Sequence, residues 1–205
     1  WSDLMKTLRD PANALAAGLA AIRTEFQVPA GFPPEVTTAA DAAARRAPSE
    51  HADWTARPFI TLDPASATDL DQAFAIERAS GDLILHYAIA DVAWFVADGG
   101  PIDAEAWARG ETLYLPDGKA GLYPPVLAEG AASLLPDGPR PAIVFTVRVA
   151  SDGGVRLDAA TRAVIRSRAK LAYATVRDAD LPEGFAELSD RIQRAEAGRG
   201  AAGVD

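Results

Sequence analysis

Three carboxylates lie close together in one stretch: Asp63, Asp69 and Asp71, within Phe59-Ile60-Thr61-Leu62-Asp63-Pro64-Ala65-Ser66-Ala67-Thr68-Asp69-Leu70-Asp71-Gln72-Ala73-Phe74. Phe59 to Leu62 reads as a short strand ending on Asp63. Pro64 stops it, because proline has no N–H to give to a ladder. Small residues then make a tight loop, and an extended pattern resumes at Ala73. Such a strand–loop–strand brings the carboxylates into a small volume. They stay ionised there only if a cation or several hydrogen bonds offset their repulsion. Hard oxygen ligands of this kind suit Mg²⁺ or Mn²⁺. The plain alternative is a structural loop with no metal.

The elements around this stretch follow from patterning. Trp1 to about Ala47 is alanine-rich and helical in pattern. Asp10-Pro11 reads as an N-cap with proline at the first helical position. Leu15, Leu19, Ile22 and Phe26 recur at near-helical spacing and are expected to face a core. Pro33-Pro34 breaks the pattern; Glu35 to Arg46 reads as a second, peripheral helix. Arg45-Arg46 reads as a solvated pair at its C-terminus. Ser49 to Arg57 is expected to be a linker, with no role for His51. Residues 1–57 are thus expected to form a helical extension, and 58–205 the domain that carries the chemistry.

Beyond Phe74 a hairpin is expected, with Ala79-Ser80-Gly81-Asp82 as its turn and Leu83 to Ala90 as a central return strand, apolar on both faces. His86 reads as packed rather than catalytic. Asp91 ends the strand, either as a cap or as a carboxylate supporting the site. Asp103 to Arg109 reads as a helix capped at Asp103, and Gly110 to Pro125 as a proline-fixed loop carrying Tyr114 and Tyr123. An aromatic there either packs the loop or stacks on a nucleobase. Pro141 to Val149 alternates as a strand, Ser151-Asp152-Gly153-Gly154 is a turn, and Val155 to Leu171 continues extended. Arg166, Arg168 and Lys170 fall at the two-residue period of one strand face, as a solvated edge or a phosphate track. Leu171 to Val176 and Pro182 to Ala197 read as helices, the last with Phe185, Leu188, Ile192 and Ala195 as its apolar stripe. The expected class is α+β, with a mixed, mostly antiparallel sheet and packed helices.

Composition narrows the function classes. The 205 residues, 49% apolar, suffice for one large domain. There is no cysteine, so disulfides and thiolate metal sites are excluded. No apolar run of about 18 residues or signal peptide is seen, so a cytoplasmic protein with no membrane partner is expected. A net charge of −9 argues against broad adhesion to nucleic acid, though not against a local basic channel. Two histidines, neither beside a serine nucleophile pattern, make a Ser-His-Asp triad an unsuitable reading. The start at Trp1 suggests a trimmed or partial chain, and residues 198–203 a flexible run.

Read with its surroundings, the aspartate stretch resembles the ribonuclease II (RNB) family of 3′→5′ exoribonucleases. The matching blocks are Asp63-Pro-Ala-Ser-Ala-Thr-Asp69-Leu-Asp71, Tyr87-Ala-Ile-Ala-Asp91-Val, Glu111-Thr-Leu-Tyr114-Leu-Pro116, Leu122-Tyr-Pro-Pro125, Ser133-Leu-Leu-Pro136, Arg140-Pro-Ala and Ser167-Arg-Ala-Lys170-Leu-Ala-Tyr173. They occur in family order over about residues 57–176. The resemblance implies hydrolysis of single-stranded RNA from its 3′ end to nucleoside monophosphates, with Mg²⁺ (or Mn²⁺). It implies metal binding at Asp63, Asp69 and Asp71, with Asp71 the essential catalytic aspartate. Gln72 stands where the family has a fourth carboxylate; its amide oxygen can ligate Mg²⁺ but adds no charge. Tyr114 matches the tyrosine that stacks on the 3′-terminal nucleotide, Tyr173 another aromatic near the RNA, and Arg166, Arg168 and Lys170 lie beside it. The chain is expected to be the N-terminal half of an RNB-like catalytic domain whose partner is the missing C-terminal half. A different class remains open: an RNB-like RNA-binding or scaffold protein, catalytically weakened at Gln72.

Overall fold

A computed structural model describes residues 14–198 of the chain. The expected helix start at Asp10-Pro11 and the glycine-rich run beyond Gly198 lie outside them. The architecture is α+β, as expected. Seven strands make one mixed, mostly antiparallel sheet: β1 (Ala52–Asp53), β2 (Phe59–Asp63), β3 (Gln72–Ala79), β4 (Asp82–Ala90), β7 (Arg140–Val149), β8 (Val155–Ile165) and β9 (Ser167–Ala172). Their order is β1-β8-β7-β4-β3-β2-β9; β1–β8 and β2–β9 are parallel, the other pairs antiparallel. Two further strands, β5 (Leu113–Leu115) and β6 (Gly118–Ala120), form a separate hairpin. The helices are α1 (Ala14–Glu25), α2 (Pro34–Ala43), α3 (Pro101–Arg109) and α4 (Phe185–Gly198).

The central strands are covered on both faces and are therefore apolar in both registers. Ala73 and Ala75 of β3 face one core with Phe59, Ala88, Val144, Ile165, Leu70 and Leu134. The intervening Phe74 and Ile76 face the other, where Leu83, Val149 and Leu188 are buried and Phe185 and Ile192 pack from α4. The apolar stripe expected on the last helix is therefore the surface that closes this face. His86 is packed, as expected: it is 3% exposed, its Nδ1 3.2 Å from Thr146 Oγ1 and its Nε2 2.9 Å from Arg57 Nη1.

Several expectations are corrected. Leu15, Ile22 and Phe26 of the first helical region are exposed rather than core-facing, and Leu19 is half-buried. The second helix is not peripheral, because Val36 and Ala40 are buried against Phe95, Ile102 and Leu127 in a third cluster. α3 starts at Pro101 after Gly100; Asp103 lies inside its first turn and accepts a hydrogen bond from the Gly99 N–H (3.0 Å). Leu171–Val176 is not a helix: β9 runs to Ala172 alongside β2, and the Tyr173 N–H then donates to the Asp63 carbonyl at 3.3 Å. Arg45-Arg46 follows a helix C-terminus, but Arg46 is not simply solvated: its guanidinium lies 4.7 Å from the Trp94 ring centre.

The linker reading of 49–57 fails in an instructive way. Ala52–Asp53 joins the sheet beside Ala163 and Val164, which draws His51 into the interior. The His51 side chain is fully buried, with Nε2 3.0 Å from Asp91 Oδ2 and its ring edge-on to Trp94. Asp91 caps the following 3₁₀ turn by accepting from the Trp94 N–H (3.2 Å) and pairs with Arg162 Nε (2.8 Å). Of the two roles open for Asp91, the cap is the one observed. Asp91→Ala would leave His51 Nε2 without its partner and Arg162 with only its longer contact to Glu50 (3.3 Å). The expected loss is about 2 kcal/mol by urea denaturation, below the roughly 3–5 kcal/mol of a fully buried pair because Arg162 is partly solvated. An unchanged midpoint would show that this cluster carries no load.

Candidate active site

Leu70 sets the geometry of the aspartate loop. It is fully buried in the core beneath the sheet. Its N–H donates to Ser133 Oγ (2.9 Å), and its carbonyl accepts from the Leu134 N–H (2.9 Å). Ser133 Oγ in turn donates to the Thr68 carbonyl at 2.7 Å. Side chains alternate on extended backbone, so sinking Leu70 into the core leaves Asp69 and Asp71 directed away from it. The Asp71 carbonyl is tied to β4 through the Ala90 N–H (2.9 Å). Asp63 arrives from the end of β2. All three aspartates line one cleft of about 670 Å³, together with Tyr114, Lys119 and Glu129.

The charges in this cleft are unequal. Burial raises the Asp71 pKa above the ordinary carboxylate value, and the charges of Asp69 and Asp63 raise it further, against an opposing effect of Lys119. Burial, then the Asp69 charge, likewise raises Asp63, which Lys170 partly offsets. Burial alone would raise Asp69 too, but hydrogen bonds from Lys119 and from backbone N–H groups outweigh it and hold Asp69 below the ordinary value. Lys119 Nζ lies 2.9 Å from both Asp69 Oδ2 and Glu129 Oε1. Asp69 therefore has the ammonium as a direct partner, whereas Asp71 feels it only through space.

Among the described residues no three acidic or histidine side chains are gathered to cage an ion. Mg²⁺ does not require a cage, since it keeps several waters and takes one or two carboxylates plus phosphate oxygens. Asp63 Oδ2 is buried without a hydrogen-bond partner, and beside it Asp71 is crowded by like charge. Two under-compensated carboxylates of this kind fit a water-bearing divalent cation.

The loop expected at Gly110–Pro125 contains the β5–β6 hairpin, turned at Pro116-Asp117, with Tyr114 opposite Lys119. Tyr114 is 75% exposed, so it is not packing the segment down; Tyr123 is half-buried and packs against the third cluster. A second cavity of about 580 Å³ adjoins the cleft, sharing Asp69, Asp71 and Tyr114, with Phe32 and Tyr123 in its wall. Arg109 steadies that wall: its guanidinium lies 3.8 Å from the Phe32 ring centre and its Nη1 donates to the Gly121 carbonyl (3.0 Å).

The other expected residues are placed differently. Gln72 opens β3, exposed and outside the cleft lining, its amide oxygen accepting from the Tyr87 hydroxyl. Tyr173, 62% exposed, follows β9 beside Asp63. Arg166 is exposed at the break between β8 and β9. A register shift between Phe59 and Thr61 of β2 interrupts the two-residue alternation along β9. Arg168 Nη2 donates to the Thr55 carbonyl (2.8 Å), and Lys170 Nζ to the Ala65 carbonyl (3.0 Å) and to that of Ala67. Lys170 therefore shapes the aspartate loop itself. Lys119, Glu129 and Ser133 are the residues that sequence reasoning did not assign. Pro116-Asp117-Gly118 is the signal for the first, since a Pro-Asp-Gly turn between apolar residues marks a hairpin.

Comparison with known proteins shows the family of the chain. Residues 51–184 match the RNB domain. Exoribonuclease 2 of Salmonella paratyphi B is 40% identical over 131 residues, which is 63% of this chain and 20% of that protein. The chain thus spans about a fifth of the length of this curated relative. Mycoplasma genitalium RNase R, solved in complex with double-stranded RNA, superposes with a TM-score of 0.77 at 22% identity, over 90% of this chain and 36% of that one. Yeast Ssd1, described as a pseudonuclease, superposes with a TM-score of 0.57 at 17% identity, over 82% of this chain and 20% of its own. These two likenesses are of fold. With the family match covering well over half of its residues, the chain belongs to the RNB-domain family.

Proposed function

We propose that this chain carries the aspartate centre of an exoribonuclease that hydrolyses single-stranded RNA from the 3′ end to nucleoside monophosphates, with Mg²⁺ or Mn²⁺. The observation that carries this reading is the meeting of Asp63, Asp69 and Asp71 with an exposed tyrosine around one cleft. The name of its 40%-identical relative, exoribonuclease 2, points the same way. Asp63 and Asp71 would hold the metal, which when bound supplies charge at the scissile phosphate and an acidified water. Tyr114 would stack on the terminal base and so set the register of the last phosphodiester. Asp71 would also orient the attacking water through a carboxylate oxygen. Tyr173, exposed beside Asp63, would meet the RNA there, and Arg166, exposed at the far end of β9 where the strand pairs with Phe59, would meet it further along, with Arg168 and Lys170 acting mainly through the loops they hold. The remainder of the catalytic domain, in the cytoplasm, is the proposed partner.

A second reading has its own observation. Gln72 is neutral and so adds no negative charge for a metal, and a pseudonuclease shares the fold. In that reading the protein binds RNA and cleaves it poorly.

Three outcomes are expected. Asp71→Asn lowers the rate on a single-stranded oligoribonucleotide by about 10² or more while RNA binding by anisotropy is retained; hydrolysis at the parental rate would remove Asp71 from the chemistry. Gln72→Asp leaves Mn²⁺ affinity and rate within about threefold, since residue 72 points away from the cleft; a gain beyond tenfold favours the weakened-enzyme reading. The third concerns pH. A carboxyl whose pKa is raised on folding destabilises the folded state where it is ionised, and this penalty vanishes below its ordinary value of 3.8. Without metal, Asp71→Asn should therefore melt above the parent at pH 7, with the gain shrinking as the pH falls through the raised pKa towards 3.8. A gain that grows on acidification would contradict the assignment.

A further inference from the structure

Tyr114 sits on a weak element. β5 and β6 pair only with each other, three residues each, and an isolated two-stranded hairpin is marginal in water. Side chains must therefore hold it in place. At its base the Leu122 N–H donates to Thr112 Oγ1 (3.0 Å) and Arg109 binds the Gly121 carbonyl. At its tip Asp117 pairs with Arg23 of α1 (2.9 Å), an exposed contact. On its face Lys119 reaches both Asp69 and Glu129 at 2.9 Å, and Glu129 Oε2 accepts from Thr68 Oγ1 at 3.0 Å. Lys119 stands directly across the ladder from Tyr114. Residues so placed share a face, with Cβ atoms about 5 Å apart. One ammonium thus joins the tyrosine hairpin, the aspartate loop and the helical turn that carries Glu129.

We propose that Lys119 is a positioning residue: by clamping Asp69 and Glu129 it sets where Tyr114 stands relative to the Asp63–Asp71 pair, and hence where the last phosphodiester of bound RNA comes to rest. The inference rests on the roles given above to Tyr114 and the aspartates. Loss of the ammonium would leave Asp69 and Glu129 facing each other and would release the hairpin on the face that matters. The guanidinium of arginine can also bridge two carboxylates, so Lys119→Arg is the conservative control.

The test is a double-mutant cycle of Lys119→Met and Tyr114→Ala, read as kcat/KM on a single-stranded oligoribonucleotide, with amide hydrogen exchange on the RNA-free proteins. Lys119→Met should cost about tenfold with Tyr114 present and less than about twofold in Tyr114→Ala, because contacts acting through one another are not additive. Lys119→Arg should stay within about threefold of the parent. Without RNA, Lys119→Met should speed exchange across residues 113–120 by about tenfold while β3 and β4 stay protected. Additive losses in an active protein, or a hairpin whose protection is unchanged, overturn the positioning role and leave the proposed function standing. A parent that neither binds nor cleaves RNA, or Tyr114→Ala at full activity, overturns the proposed function and the inference with it.

Discussion

The site depends on one electrostatic constraint: three aspartates that share a cleft must not be left to repel one another out of it. The protein meets this unevenly. Asp69 is hydrogen-bonded by Lys119, and Lys170 lies close enough to Asp63 to ease its ionisation while holding the loop through backbone carbonyls. Asp71 keeps its penalty. What keeps the loop closed over that penalty is apolar: Leu70, between two of the charges, is fully buried, and both of its backbone polar groups are satisfied by Ser133 and Leu134. A fully buried leucine side chain contributes about 2 kcal/mol.

The rest of the fold serves to bring distant segments to that loop. β2 and β3 deliver its two ends, β4 fixes Asp71 through Ala90, and β9 supplies Lys170 alongside β2. Residues 127–134 add Glu129 from a π-helical turn and Ser133 from the bend after it. α2 and α3 close a separate cluster with Phe95 and Leu127, and the chain between α1 and α2 walls the cavity next to Tyr114. The site is thus assembled from both sides of the boundary expected near residue 57, since Phe32 belongs to the cavity and Ala52–Asp53 to the sheet.

Much of this was legible in the sequence where the signal is local. The strand ending on Asp63, the turn after Ala79 and the turn at residues 151–154 each follow from proline, glycine and alternation, and each is present. The family blocks located the aspartates and Tyr114 together. Longer-range effects were not legible. His51 is buried because a two-residue strand pairs with β8 more than a hundred residues away, which no local pattern encodes. Leu171–Val176 has helical composition, but pairing with β2 overrides that propensity. The α1 residues recur at helical spacing, yet spacing reports a face and not what covers it. Lys119 is a different failure. Its Pro-Asp-Gly turn was readable, but an ion pair 50 residues distant in sequence was not.

In the proposed function Asp63 and Asp71 hold a divalent cation within reach of an RNA end stacked on Tyr114. The most direct measurement is Mn²⁺ anomalous scattering from crystals of the protein grown with a single-stranded phosphorothioate oligoribonucleotide. A Mn²⁺ peak against both carboxylates, a terminal base on the Tyr114 ring, and Lys119 still on Asp69 are expected. Mn²⁺ bound elsewhere, or an RNA end lying away from Tyr114, would contradict this reading.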